Sequence, residues 1–473
     1  MKIGATVLAV AAILSGCAGM PSKPKPVALP TQAPLTDFGA TGDAAWPSKE
    51  WWQRYQDPTL DKLIALGLQS SPSLATAHSR FDLARQSVRV AGAAAGVQVT
   101  AIGDIERQRL SDNGLIPPQL LGFTWYNQAD LGLQASYTFD WWGKQRDLVE
   151  AAMDQAHAAQ AERSAAALML TSSIADTYFG WQADQGRLAL AREREAVVQR
   201  EGAIAAARVH ADVDSPDSLH NTDTALAAVR EQIANLEGSA KLRVVAVAAL
   251  VGRPAAELPP LQAKFLPSIP NGLPDNVRVD LMSRRADLTA SRWRVEAAEK
   301  NLDSARAEFF PDISINALAG LSSIDVGKLI EYGSRVPAAT AAIHLPLFDS
   351  GRLKAHYGAT QASINSAVDS YKETLVNAAR DVATQASSCA ALSAQRTQRA
   401  IESEAARQLQ SSATARVRQG VADSRTELKA TEAWIEQRDA LLQLDAAALS
   451  ADIALQRALG GGYESSSEIA KAP

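Results

Sequence analysis

Six histidines and two cysteines are the side chains of this 473-residue sequence best suited to hold a metal or act as nucleophiles. Their spacing denies them that chemistry. His78, His157, His210, His220, His344 and His356 are scattered, with no His-Glu-x-x-His pair and no cysteine nearby to complete a ligand set. No phosphate-binding loop and no Gly-x-Ser-x-Gly elbow occurs. Cys389 stands among Ala and Ser in a helix-forming stretch and reads as a small core residue. An enzyme is not expected, and no metal or cofactor site. The formal net charge of −5 gives no reason to expect a nucleic-acid partner. One side chain keeps a chemical role, the thiol of Cys17, which ends the run Leu14-Ser15-Gly16-Cys17.

The context of that thiol is export. Lys2 supplies a positive start, and Ile3 to Leu14 form an apolar run too short to stay as a membrane-spanning helix. Leu-Ser-Gly-Cys directly after such a run resembles the lipobox of bacterial lipoproteins. The resemblance implies cleavage before Cys17 and a covalent lipid on Cys17, the only non-protein group expected. Ala18 in the next position resembles an outer-membrane sorting signal. More than one acyl chain gives stable anchoring. Pro21, Pro24, Pro26, Pro30 and Pro34 then mark an extended tether.

Two kinds of element follow. From Gln128 to Phe139 the chain alternates strictly: Ala129, Leu131, Leu133, Ala135, Tyr137 and Phe139 share one face, and Gln128, Asp130, Gly132, Gln134, Ser136 and Thr138 the other. Ile313, Ile315 and Ala317 alternate with Asp312, Ser314 and Asn316. A further run alternates through Ala339, Ala341, Ile343, Leu345 and Leu347 up to Asp349, and a weaker one covers Val97, Val99 and Ala101. Four strands are expected. The other kind is the stretch from Gly351 to Leu459, which has no proline and whose only internal glycines are Gly358 and Gly420. A helix from Gly351 to Gly420 spans on the order of 100 Å at 1.5 Å per residue. The stretch predicts a long helical hairpin with its tip near Gly420. At the other end of the chain, Asp57-Pro58 predicts a helix start, with a break at Pro72 and a second helix to about Ala95.

The chain repeats itself. Gly143-Lys144 and Ala207-Arg208-Val209 recur 208 residues later as Gly351-Arg352 and Ala415-Arg416-Val417. Ala249-Leu250-Val251-Gly252 aligns with Ala458-Leu459-Gly460-Gly461 at 209, and Leu74, Phe81 and Val88 align with Leu288, Val295 and Leu302 at 214. The first copy thus carries about six extra residues between its strands. The division expected is a signal (1–16), an acylated Pro-rich tether (17–45), repeat 1 (46–252, strand pair 97–140), a linker (253–274), repeat 2 (275–463, strand pair 311–349) and a tail (464–473). Strands of this length with one apolar and one polar face suit a transmembrane β-barrel. Four strands cannot close one, and lipid tolerates no open edge. Several copies must join. Polar residues such as Gln128, Asp130, Gln134 and Ser136 are then expected to face the lumen.

The motifs Tyr137-Thr138-Phe139-Asp140-Trp141-Trp142-Gly143-Lys144-Gln145-Arg146, Leu345-Pro346-Leu347-Phe348-Asp349-Ser350-Gly351-Arg352-Leu353 and Arg457-Ala458-Leu459-Gly460-Gly461-Gly462 resemble those of the TolC-type outer membrane factors, and most closely their NodT-like lipoprotein branch. The resemblance runs from about Trp51 to Tyr463. It implies a mainly α fold: a homotrimer sharing a twelve-stranded β-barrel in the outer membrane, four strands per chain, above a long periplasmic α-helical barrel. It implies the exit duct of a tripartite pump, with a periplasmic adaptor (membrane fusion protein) and an inner-membrane RND-type transporter as partners. Gly143 and Gly351 would mark the barrel–helix junctions. The tip pattern appears as Arg416…Gly420-Val421, and in the first copy as Arg208…Asp212-Val213, where Asp takes the place of Gly. Family members often place a carboxylate pair just past the second tip. Thr426 and Lys429 occupy the matching positions, leaving Asp423 or Glu427 as substitutes. Efflux of drugs or other small toxic solutes, metal-ion efflux and type I protein secretion all suit such a duct. A lipid-anchored periplasmic coiled-coil scaffold or adaptor shares the signal and the helices, but does not need the four strands.

Overall fold

The computed structural model describes residues 22, 28–30, 45–113, 117–268 and 283–464. The expected signal and Cys17 lie outside the described residues, as do most of the tether, the end of the linker (269–274), the start of repeat 2 (275–282) and all but the first residue of the tail.

Helix α1 (Pro58–Ser70) starts where Asp57 accepts the amide of Thr59, with Pro58 in the first turn. Helix α2 (Pro72–Ala94) follows, then strand β1 (Gln98–Arg109), a helical turn at Pro118–Leu121, and strand β2 (Trp125–Phe139). Helices α3 (Lys144–His210) and α4 (Asp217–Val251) form the first hairpin. The second repeat supplies α5 (Ala286–Ala307), β3 (Asp312–Ser323), β4 (Arg335–His344), and the hairpin α6 (Arg352–Arg418) and α7 (Ser424–Ala458). The long arm has 67 residues in both hairpins and the return arm 35. At 1.5 Å per residue the long arms reach about 100 Å.

Two sequence expectations are corrected. The fourth strand ends at His344 rather than running through Leu347 to Asp349. Pro346 has no amide to continue the ladder, and the chain leaves the sheet before it. The 208-residue offset also persists to the end of the hairpins. Each closes with a six-to-one hydrogen bond, Arg253 amide to Ala248 carbonyl and Gly461 amide to Gln456 carbonyl, around the left-handed Gly252 and Gly460. The structural partner of Gly252 is therefore Gly460, not Gly461.

The four strands form one antiparallel sheet in the order β1-β2-β3-β4. Its register sorts the side chains. Leu131 faces Leu321, Ala135 faces Ala317, Tyr137 faces Ile315, and Ile313 faces Ile343. One step along, Gln98 faces Ser136, Thr100 faces Gln134, Glu106 faces Gln128, and Ser136 faces Asn316. Opposed residues point to the same side, so one apolar and one polar face run across the sheet. On the apolar face Val99, Ile105, Leu131, Leu133 and Ile343 are all more than half exposed.

Below the sheet the helices also lie four abreast. The upper row runs α2, α3, α5, α6, and the lower row α4, α3, α7, α6. The central seam of the lower row, α3 on α7, has apolar residues at seven-residue spacing: Leu190, Val197 and Ile204 against Leu428, Ile435 and Leu442. That is antiparallel coiled-coil packing. Its flanks pair Arg187 with Asp439, Arg194 with Glu432, and Arg438 with Glu193. Where the rows meet, Trp51, Tyr55, Leu60, Leu63 and Ile64 pack on Ile174, Tyr178 and Phe179 in a closed core. Each such aliphatic side chain contributes about 1.5–3 kcal/mol.

Candidate functional site

Three regions carry the residues singled out in the sequence: the polar sheet face, the sheet–helix junctions and the two hairpin tips. Gln128, Asp130, Gln134 and Ser136 share one face of β2, and the Gln128 amide donates to Asp130 Oδ2 at 2.9 Å. Asp104 of β1 lies directly opposite Asp130, which concentrates negative charge there.

At the junctions Gly143 and Gly351 precede the two long helices in left-handed conformations, φ 81° and 89°. The strand must turn through this conformation to enter the helix axis, and glycine adopts it without strain. An aspartate fastens each turn. Asp140 accepts the amide of Arg146, and Asp349 accepts those of Gly351 and Leu353. Trp142 stacks on Phe310 with centroids 4.4 Å apart, and its indole donates to the Pro311 carbonyl, tying the first junction to the start of β3.

The tips share one backbone. In the first, the Val213 amide bonds the Arg208 carbonyl and Asp212 takes φ 55°. In the second, Val421 bonds Arg416 and Gly420 takes φ 72°. Asp212 therefore holds the left-handed position that Gly420 holds in its copy, as the sequence reading allowed. Val213 and Val421 are both exposed.

Polar contacts separate the tips. Arg208 grips Asp214 through Nε at 2.7 Å and Nη2 at 3.2 Å, a bidentate pair. The guanidinium of Arg208 holds the Asp214 carboxyl below the usual range, and Asp214 in turn raises Arg208. Arg425 of the second hairpin also reaches Asp214, at 3.3 Å. One carboxylate thus joins the two tips. Asp214 and Arg425 were not singled out in the sequence. They lie 211 residues apart, and no local pattern links them.

Asp423 caps α7, accepting from the amide and hydroxyl of Thr426 at 2.9 Å each. The amide bond is the main reason its carboxyl lies below the usual range. Glu427 accepts from Thr414 Oγ1 within its own hairpin. Neither expected substitute for the acid pair is spare: Asp423 is engaged as a helix cap and Glu427 by the facing helix.

The sequence and the fold have parallels among known proteins. The chain matches the family model for outer membrane efflux proteins over residues 63–253 and 277–461, one segment per repeat. It belongs to the outer membrane efflux protein family. It is 33% identical over 478 residues to the multidrug resistance outer membrane protein MdtP of Escherichia coli O6:H1, covering 98% of this chain and 97% of that one. It is 32% identical to the putative multidrug resistance outer membrane protein MdtQ of Shigella flexneri, with 96% of each covered. Among solved structures, the outer membrane protein VceC of Vibrio cholerae superposes with a TM-score of 0.79 at 32% identity, covering 89% of this chain and all of that one. The CmeC channel of Campylobacter jejuni shares the fold at a TM-score of 0.84 and 18% identity. The protein is an efflux channel subunit of the outer membrane, and not an enzyme. Among the described residues no helix is long and apolar enough to cross a membrane.

Proposed function

We propose that three copies assemble into a continuous tube, and that this tube is the passive exit duct for drugs or similar small toxic solutes. The observation that carries the reading is the width of the chain. At the sheet and in both helical rows it is four elements abreast, with free edges at β1, β4, α2, α4 and α6. Lipid tolerates no open sheet edge, so β1 must pair with β4 of another copy. The edge helices are equally unfinished: Leu83 and Val90 on α2, Leu242 and Val245 on α4, and Ile401 and Leu409 on α6 are each more than half exposed. Three chains give a closed barrel of twelve strands, within the range of such barrels. The polar sheet face, with Gln128, Asp130, Gln134 and Ser136, then lines the lumen. The apolar face meets lipid, and Gly143 and Gly351 mark the barrel–helix boundary.

In this reading the tips are the periplasmic mouth. Arg208, Asp212, Val213, Arg416, Gly420, Val421 and Asp423 meet a periplasmic adaptor, which connects to an inner-membrane RND-type transporter. A lipid on Cys17 adds a second hold on the outer membrane. The names of MdtP and MdtQ support drugs as the cargo class. The test is complementation of a strain lacking its outer membrane efflux channels. The wild-type chain, expressed with a cognate adaptor and transporter, restores drug tolerance. Leu133→Arg does not, because a cation near the bilayer midplane on the lipid face costs about 2–4 kcal/mol. Full tolerance with Leu133→Arg, at wild-type levels in the outer membrane, would overturn the facing of the sheet. No rescue by the wild-type chain with any such partner would overturn the duct.

A further inference from the structure

The apolar face of the sheet ends in arginines. β1 and β2 pair without a bulge from Gln98 to Arg109, so the odd-numbered residues of β1 stay on the apolar face throughout. Arg107 and Arg109 therefore stand there, beyond Val99 and Ile105. Arg335 opens β4 on the same face, directly opposite Leu321. All three lie at the sheet end away from the helices: β1 leaves α2 at Gln98 and reaches this end at Arg109, and β4 runs back from it toward α6. Arg109 pairs with Asp112 at 3.2 Å. Arg107 and Arg335 have no carboxylate partner among the described residues. Each lies against an aromatic ring instead, Arg107 on Trp125 at 5.6 Å and Arg335 on Tyr332 at 4.2 Å. Both rings are more than half exposed.

The face beside Arg335 is hollow. Ala101, Leu131, Leu133, Ala319 and Pro337 line a depression of about 470 Å³ with Arg335 at its rim. The ladder also fixes the depth of the two spare guanidiniums. Arg335 sits on a row that passes through Leu321 and Leu131 to Gly103. Strands about 4.8 Å apart and tilted by about 40° offset such a row by about 12 Å over three strand spacings, close to four residues. The sense of the offset is given by the strand ends, which fall back by four residues from β2 to β3 and by two more from β3 to β4. Arg107 stands four residues beyond Gly103, in that sense. Arg107 and Arg335 thus lie at one depth.

We propose that Arg335 of one copy and Arg107 of the next form a cleft for the phosphate of an anionic outer-leaflet lipid, with an acyl chain of that lipid in the depression beside Arg335. The proposal rests on the duct reading, in which β4 of one copy pairs with β1 of the next and this sheet end lies in the outer leaflet. Within one chain the two arginines are on opposite edge strands. Across the copy boundary they are on adjacent strands, on one face and at one depth. Each guanidinium offers a planar fork of N–H donors that matches a phosphate. Trp125 and Tyr332 are suited to the headgroup level, where aromatic rings collect. A cation is tolerated at that depth, unlike at the midplane. A free phosphate could use the guanidiniums but not the apolar hollow. Each trimer has three such clefts, and none is complete in a single chain.

Native mass spectrometry of the detergent-purified protein, with the diphosphorylated glycolipid lipid A as the probe, reads the assembly and the cleft together. Trimers should retain up to three lipid A molecules, and several-fold less phosphatidylcholine, whose phosphate is balanced by its own ammonium. An excess of inorganic phosphate should not displace the lipid. Arg107→Gln and Arg335→Gln should each cut retention several-fold and leave the trimer mass unchanged. Arg107→Lys, which keeps the charge, should retain more than Arg107→Gln. Arg109→Gln should stay within about twofold of wild type, because Arg109 is held by Asp112. Trimers that keep lipid A without Arg107 and Arg335, hold phosphatidylcholine equally well, or lose lipid A to inorganic phosphate would overturn the cleft and leave the duct standing. Protein that forms no trimer would overturn both.

Discussion

The first hairpin tip closes on itself through a bidentate ion pair, and the second reaches across to share the same carboxylate. Both make the same left-handed turn with the same closing hydrogen bond. At the first, Arg208 closes on Asp214 six residues along the same turn. The matching residue in the second tip is Ala422, so Arg416 has no equivalent acid and makes no ion pair among the described residues. Arg425 of the second tip is instead pulled across to Asp214. The lesson is that duplication preserved the backbone and let the side-chain chemistry diverge. Among the described residues, the ion pairs of Arg208 and Arg425 that join the two tips meet at one carboxylate in the first repeat.

The comparison can be broken at the backbone first. Gly420→Val forces a β-branched residue into a left-handed turn and should destabilise the second tip by about 1–2 kcal/mol, read as faster amide exchange in residues 416–424. Normal protection there would show that the turn is not held at Gly420. A smaller effect is expected from Asp214→Asn, which releases Arg208 and Arg425 together. Exchange should rise at both tips, not one, and single-channel conductance in bilayers should increase.

Acid should mimic that variant. The Asp214 carboxyl lies below the usual range, so its contribution is complete above the ordinary carboxylate value near 4. It is lost only as pH falls below that, through the depressed value. The joined tips should therefore be insensitive to pH between 5 and 8, and an opening transition inside that window would exclude Asp214 as its cause.

Ala422→Asp sharpens the comparison instead. It gives Arg416 the acid that Arg208 already has, and should slow exchange at the second tip alone. The smallest change is Asp212→Gly. Relief of left-handed strain is offset by the greater freedom of glycine in the unfolded chain, so stability should stay within about 0.5 kcal/mol of wild type.

Much of this architecture was legible in the sequence because it repeats. The long arms, both tips and the left-handed Asp212 follow from matching Arg208-Val209 to Arg416-Val417. The β2 faces follow from twelve residues of strict alternation. β1 was harder: the apolar side thins to Gly103 and Arg107, and the continuation to Arg109 comes from pairing with Trp125, a non-local cause. The Asp214–Arg425 bridge was invisible for the same reason, since it depends on how the two hairpins lie together. So was the buried contact of Tyr55 with Asp452, where burial and the neighbouring carboxylate raise the phenol well above its ordinary value. The hydrogen bond from Thr414 to Glu427 was invisible too, because Thr414 lies on the facing arm of the hairpin.

The central claim is that one chain is one third of a wall. Native mass spectrometry of the detergent-solubilised protein, paired with conductance after reconstitution of the same sample, tests it most directly. Three chains per particle and discrete ion-conducting steps are predicted. A uniform single-chain particle that leaves the bilayer non-conducting would contradict it.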